Sequence, residues 1–219
     1  MLREANCGLP GTSAPPYAPL NESAIRRIAD AALEVLDRSG MAVYSPTALD
    51  ALRAAGARVD AEKRIVRFPR SLVEDAVDSN PSSITLFSRD GENDAVLERD
   101  RVHYSTGGTA IYVLDPDTGR RRPSTVEDVI LNARMVDALE HIHAFTINVF
   151  PNEIEEKDHI DSNRFFHALD NTTKHVMGGV YSLKGCQDVV RMARLIAGGE
   201  EALREKPFVS IITLIISPF

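Results

Sequence analysis

The sequence has no tryptophan, only two cysteines and no apolar run of membrane-spanning length. Each absence excludes something. Cys7 and Cys186 cannot build a disulfide framework, and no C-x-x-C or Cys/His array offers a structural zinc site, so a reducing, cytoplasmic setting is expected. The longest apolar stretch, Ile211 to Ile216, is interrupted by Thr213 and falls far short of the ~20 residues that cross a bilayer. Positive charge is also scarce. The 25 Lys and Arg against 32 Asp and Glu give a net charge of −7, the wrong sign for a phosphate-binding surface. Neither nucleic acid nor membrane is expected as a partner. The first twenty residues lack the apolar core of a signal peptide and the arginine spacing of a transit peptide, and read as a loose tail.

What is present is ordinary globular composition, 43% hydrophobic and 26% charged over 219 residues. Residues 21–100 read as a small α+β region. Asn21 caps a helix with Ile25, Ile28, Ala32 and Val35 at a 3.6-residue period and Gly40 at its end. Ser45 and Pro46 open a second helix, and Pro69 to Ser79 a third, with Leu72, Val73, Ala76 and Val77 inward. Arg64 to Phe68 reads as a strand. Further β-prone runs lie at Ile84–Ser88, Ala95–Glu98, Val102–Ser105 and Ile111–Leu114, separated by Gly- and Asp-rich turns.

After Pro123 the pattern changes. Ser124-x-x-Glu127 reads as a capping box opening a helix with Val129, Ala133 and Val136 inward. Apolar strands at Ala144–Phe150, His175–Tyr181 and Phe208–Ile216 then alternate with helices at Lys157–Leu169 and after Ser182. The repeat, 31 residues from Phe145 to Val176 and 33 from Val176 to Val209, matches the ~31 per unit of an eightfold βα barrel. No G-x-G-x-x-G or G-x-x-x-x-G-K-[ST] turn supports a nucleotide-binding open sheet instead. Three strands, or four if Val102–Leu114 contributes one, are too few to close a barrel. The expectation is therefore an α/β chain: a partial (β/α)8 TIM barrel over 101–219, preceded by the α+β region and ending as a fragment at Phe219.

The order of segments resembles the N-terminal part of the trimethylamine:corrinoid methyltransferase family, including its betaine-type relatives that lack pyrrolysine. The stretches that carry the resemblance are Leu36–Val43 (LDRSGMAV), Leu86–Asp90 (LFSRD), Ser105–Thr109 (STGGT), Asp117–Ser124 (DTGRRRPS), Asn171–Lys174 (NTTK) with Gly178-Gly179, and Ile216–Pro218. The resemblance implies a barrel that passes a methyl group from a methylamine or a quaternary ammonium compound to the cobalt of a corrinoid. The corrinoid is carried by a separate protein. It also implies a homo-oligomer at full length, and places pyrrolysine, in the members that have it, beyond Phe219.

Barrel sites gather where strands end. That rule selects Asn148, Phe150, Pro151 and Asn152, then Tyr181 and Ser182, then Ser217, with Phe150 and Tyr181 as aromatic partners for a methylammonium head. Gly107 and Gly108 are added as a place where backbone can approach a substrate or the corrinoid partner closely, although a hairpin turn explains them equally. Phe150 as core and Ser182 as a helix cap are the plainer readings of those two. Asn171–Lys174 belongs at the opposite face, in a structural role. His141 and His143 bridge a helix end and a strand start and are not read as metal ligands, and no metal site is expected. No residue can be assigned the chemical step. The alternatives are a self-associating half-barrel that acts by binding, and a barrel enzyme of other chemistry.

Overall fold

A computed structural model describes residues 18–98 and 101–218. Up to residue 17, the tail expected over 1–20 lies outside the described residues, as do Cys7 and Phe219. The described residues divide into two compact units, 82–213 and 18–81 together with 214–218.

The unit that ends at Pro81 opens with α1 (Glu22–Arg38), capped by Asn21, whose Oδ1 accepts the Ala24 N–H at 2.9 Å. Short β1 (Met41–Ala42) follows, then α2 (Pro46–Ala54), β2 (Arg58–Asp60), β3 (Ile65–Arg67) and α3 (Arg70–Asp78). The strands form one antiparallel sheet in the order β1-β3-β2. Val43, Ala57 and Val66 are its buried core, with Leu49, Leu52 and Phe68 packed against them. Gly40 sits at φ +70°, and a Cβ there would drive into the Val66 carbonyl, so the turn from α1 into β1 requires glycine. The helices form as the sequence predicts, but their apolar faces are less buried. Ile25, Ile28, Val35 and Val77 are exposed, α1 packing mainly against α3 and β3 within the unit. Two-residue β1 and three-residue β2 carry no usable periodicity and were not anticipated.

The second unit begins with two antiparallel pairs, β4 (Ser83–Leu86) with β5 (Ala95–Glu98) and β6 (Tyr112–Leu114) with β7 (Arg121–Pro123). The expected strand at Val102–Ser105 is a single bridge at Ser105. Then follow α4 (Val126–Ala138), β8 (Ala144–Thr146), α5 (Lys157–Asn171), β9 (His175–Gly179), α6 (Leu183–Ala197), α7 (Glu200–Glu205) and β10 (Val209–Ile212). The capping box of α4 is shifted by one residue from the expected one. Thr125 is the cap and Asp128 reaches back to it, because Ser124 is buried and its hydroxyl is committed elsewhere.

β8, β9 and β10 pair in parallel in the order β10-β9-β8. Phe145, Val176 and Val209, the residues that mark the sequence repeat, stand in register as neighbours. Parallel bridges from Ser105 to Ala144 and from Ala110 to Val149 lay the 105–110 segment along the other side of β8. Among the described residues the sheet does not close. Phe145, Ile147, Val149 and Val176 join Val129, Val136, Phe165, Leu169 and Val189 from α4, α5 and α6 in one core. A Cβ on Gly178 would lie 3.0 Å from Phe165 Cζ, so that glycine lets α5 approach the sheet.

At the start of β9 the Asn171–Lys174 motif is structural, as read from the sequence. Asp137 Oδ1 accepts from Thr172 Oγ1 at 2.8 Å and from the Thr173 N–H at 2.7 Å. Buried Lys174 donates from Nζ to the carbonyls of Val136, Leu139 and Ile142 at 2.6, 2.6 and 2.7 Å, supplying the donors that the end of α4 lacks. Next to it, His175 lies with Nδ1 2.9 Å from the Phe87 carbonyl and Nε2 2.7 Å from Ser210 Oγ. Burial holds its pKa below 6.5 against the opposing pull of the Phe87 carbonyl and Asp94. The neutral tautomer that fits donates to Phe87 and accepts from Ser210.

Candidate active site at the strand ends

Beyond β8 the chain stays extended and alternates: Ile147 and Val149 are buried, Asn148 and Phe150 only partly so. Asn148 and Phe150 therefore share the side of the strand turned away from the helices. The main chain of this segment is held by 105–110, with Ala110 N–H donating to the Asn148 carbonyl at 2.8 Å and Phe150 N–H donating back to the Ala110 carbonyl at 2.9 Å. Asn148 Oδ1 is buried and accepts no hydrogen bond. A buried acceptor without a donor is a group to be explained, and a ligand donor is one explanation.

Ser124 fixes the end of this segment. It is fully buried, with Oγ 2.6 Å from the Phe150 carbonyl and 3.0 Å from that of Ala110. Asn152 Nδ2 donates to the carbonyls of Ile111, Ser124 and Phe150 at 2.9, 3.0 and 3.1 Å. Asn152, selected from the sequence for its position at a strand end, thus serves the loop itself, and Pro151 is buried.

After β9 the structure brings Tyr181 against Phe150, edge to face, with ring centroids 5.6 Å apart and planes at 82°. Tyr181 is 52% exposed and keeps open ring surface, while Phe150 is half-buried rather than core. Ser182 is the cap of α6, its Oγ accepting the Gly185 N–H at 2.9 Å, as its plainer reading held.

Two residues under this corner were missed. Asp161 and Arg164, one turn apart on α5, are both fully buried. Asp161 Oδ2 accepts the N–H groups of Tyr181 at 2.8 Å and Ser182 at 3.2 Å, and Arg164 Nη1 donates to the Gly179 carbonyl at 3.2 Å. The guanidinium carbon of Arg164 lies 5.1 Å from the centre of the Tyr181 ring. Burial lowers the Arg164 pKa, against the raising influence of Tyr181 and Asp161. A signal existed in the sequence: Asp161 and Arg164 interrupt the apolar face made by Ile160, Phe165, Ala168 and Leu169. Charged residues on a buried helix face are there for a reason other than solvation.

The remaining candidates lie apart from this group or open to solvent. Gly107 and Gly108 are exposed, and a Cβ on either would meet nothing within 4 Å; Gly108, at φ +58°, is needed for the turn. Ser217 belongs to the other unit, where its Oγ accepts the Ala42 N–H at 3.0 Å. Glu153 accepts the Val126 N–H at 2.6 Å, at the first turn of α4. His143 Nδ1 accepts the Tyr104 N–H at 3.0 Å. Among the described residues no group of three potential metal ligands is present, and no helix is long and apolar enough to cross a membrane.

A parallel sheet backed by helices, with polar and aromatic side chains collected where its strands end, defines an α/β protein. The chain belongs to the trimethylamine methyltransferase (MTTB) family, which matches residues 4–219. It is similar to the trimethylamine methyltransferase MttB of Desulfitobacterium hafniense (strain DSM 10664 / DCB-2), 37% identical over 178 residues, or 81% of this chain and 36% of that protein. It is also similar to the glycine betaine methyltransferase of Desulfitobacterium hafniense (strain Y51), at 27% identity over 92% of this chain and 42% of that protein. The MttB of Methanosarcina thermophila is 27% identical over 89% of this chain and 41% of that protein. The chain spans about two fifths of the length of these relatives.

Proposed function

We propose that this chain forms the first half of a (β/α)8 barrel in a methyltransferase that takes a methyl group from trimethylamine or a glycine betaine type compound. The acceptor is the cobalt of a corrinoid carried by a partner protein, in the cytoplasm, and the full-length enzyme is a homo-oligomer. The family match over residues 4–219 carries this reading. The three parallel strands in register at the sequence repeat support the barrel, since each βα unit adds one such strand beside the last.

The chemistry sets the task of this chain's residues. An amine is a poor leaving group until it is quaternised or protonated, so the bound donor carries positive charge at nitrogen. The corrinoid supplies, when bound, a nucleophilic Co(I) that accepts the methyl carbon. The protein must hold the cation, aim one methyl group and keep water away. Tyr181 and Phe150 offer ring faces to the methylated nitrogen, a contact worth about 0.5–2 kcal/mol depending on desolvation. Asn148 Oδ1 offers an acceptor to a protonated tertiary amine.

The enzyme as encoded, given trimethylamine or glycine betaine and a Co(I) corrinoid protein, is expected to form methyl-cobalt, read from the corrinoid spectrum, with no demethylation when the corrinoid protein is left out. Turnover without corrinoid, or none across a panel of methylamines and betaines, overturns the reading.

A further inference from the structure

The pair on α5 is poorly arranged for its own sake. Arg164 Nη1 and Asp161 Oδ1 are 3.8 Å apart, beyond hydrogen-bonding distance. Asp161 Oδ1 and Arg164 Nε and Nη2 have no hydrogen-bond partner. A buried ion pair is weak evidence of stabilisation, and two apolar side chains on this face of α5 would avoid the desolvation altogether. What the pair does hold is the main chain of the strand-end loop, at three residues. Arg164 takes the last carbonyl of β9, at Gly179, and Asp161 takes the amides of Tyr181 and Ser182. The guanidinium then lies behind the Tyr181 ring while Phe150 meets it edge to face. A half-exposed tyrosine is thereby fixed through its main chain and through its ring.

Charge explains why two residues are used. A lone guanidinium behind the ring would repel a cation bound in front of it. Cations on opposite faces, each about 5 Å from the ring centre, are about 10 Å apart, and at an effective dielectric near 20 their repulsion lowers affinity about tenfold. A carboxylate beside the guanidinium cancels most of that field at the outer face.

We propose that Asp161 and Arg164 are positioning residues that set Tyr181 to receive a methylated ammonium group, with Asp161 also neutralising Arg164 so that the outer ring face stays attractive to a cation. This rests on the assignment of Tyr181 to the methyl-donor site. The test is a double-mutant cycle on the enzyme as encoded, with dissociation constants for tetramethylammonium and glycine betaine measured by calorimetry without corrinoid. The charge-balanced variant Asp161→Asn with Arg164→Met is expected to weaken tetramethylammonium binding about tenfold when Tyr181 is present and less than twofold in the Tyr181→Ala background. Equal losses in both backgrounds, or no loss in either, overturn the proposal, because a general packing defect is additive. The single variant Asp161→Asn, which keeps an acceptor for the two amides, is expected to weaken tetramethylammonium about tenfold more than zwitterionic glycine betaine. Equal weakening of the two ligands overturns the neutralising role. If Tyr181→Ala alone leaves both affinities unchanged, the assignment of Tyr181 to the site fails first, and the positioning role falls with it.

Discussion

Replacing Lys174 with methionine is expected to lower the unfolding free energy by about 3–5 kcal/mol, a shift of more than about 1 M in the urea midpoint. Methionine matches the lysine stem in length and apolar character, so little packing is lost. The loss is of donors. Three carbonyls at the end of α4 and in the turn after it, those of Val136, Leu139 and Ile142, all point at one Nζ. Each buried carbonyl left without a donor costs about 1–3 kcal/mol, and the three are not independent. Because the same lysine directly precedes β9, next to His175, the change also loosens the register of the parallel sheet at its core strand. A midpoint within about 0.3 M of the parent's would mean that the three carbonyls are satisfied without Lys174.

The second large effect is expected at Gly185. A Cβ added there would lie 2.8 Å from Asp161 Cβ and 2.9 Å from its Cγ, closer still to Oδ2, and Asp161 is wholly buried. Either α6 moves off α5 or the carboxylate leaves the amides of Tyr181 and Ser182. Overpacking costs about 1–3 kcal/mol and a displaced buried carboxylate adds to it, so Gly185→Ala is expected to destabilise by about 2–4 kcal/mol. Gly179→Ala is the control, since its Cβ would meet only the Ile212 carbonyl at 3.9 Å and should change stability by less than about 1 kcal/mol. Equal unfolding midpoints for the two variants would show that α5 and α6 are not in close contact at Gly185.

The contrast between these residues shows what was legible in the sequence. Elements with several turns of apolar period or a capping side chain were readable: α1 behind Asn21, α2 behind Ser45 and Pro46, α6 behind Ser182. The spacing of Phe145, Val176 and Val209 gave the parallel register, because βα units of equal length bring equivalent residues side by side. Short β1, β2 and β7 have two or three residues each, too few for any period to show. The capping box of α4 slipped by one residue because Ser124 and Thr125 are both good caps, and only tertiary contacts decide that Ser124 serves the Phe150 carbonyl instead.

The proposed site is half legible in the sequence. The rule that barrel sites collect at strand ends selects Asn148, Phe150 and Tyr181, the residues used in the proposal, which depend only on where strands stop. It also selected Asn152 and Ser182, whose side chains serve the loop and the helix cap. Asp161 and Arg164 act from a helix face, and no strand-end rule reaches them. They appear only when a charged pair within an apolar helix face is taken as a question about what it holds.

The most direct test of the account is a crystal structure of the enzyme as encoded, soaked with tetramethylammonium in the absence of corrinoid. The quaternary nitrogen is expected within about 6 Å of the Tyr181 or Phe150 ring centre. Tetramethylammonium bound elsewhere in the enzyme, with both rings unoccupied, would contradict it.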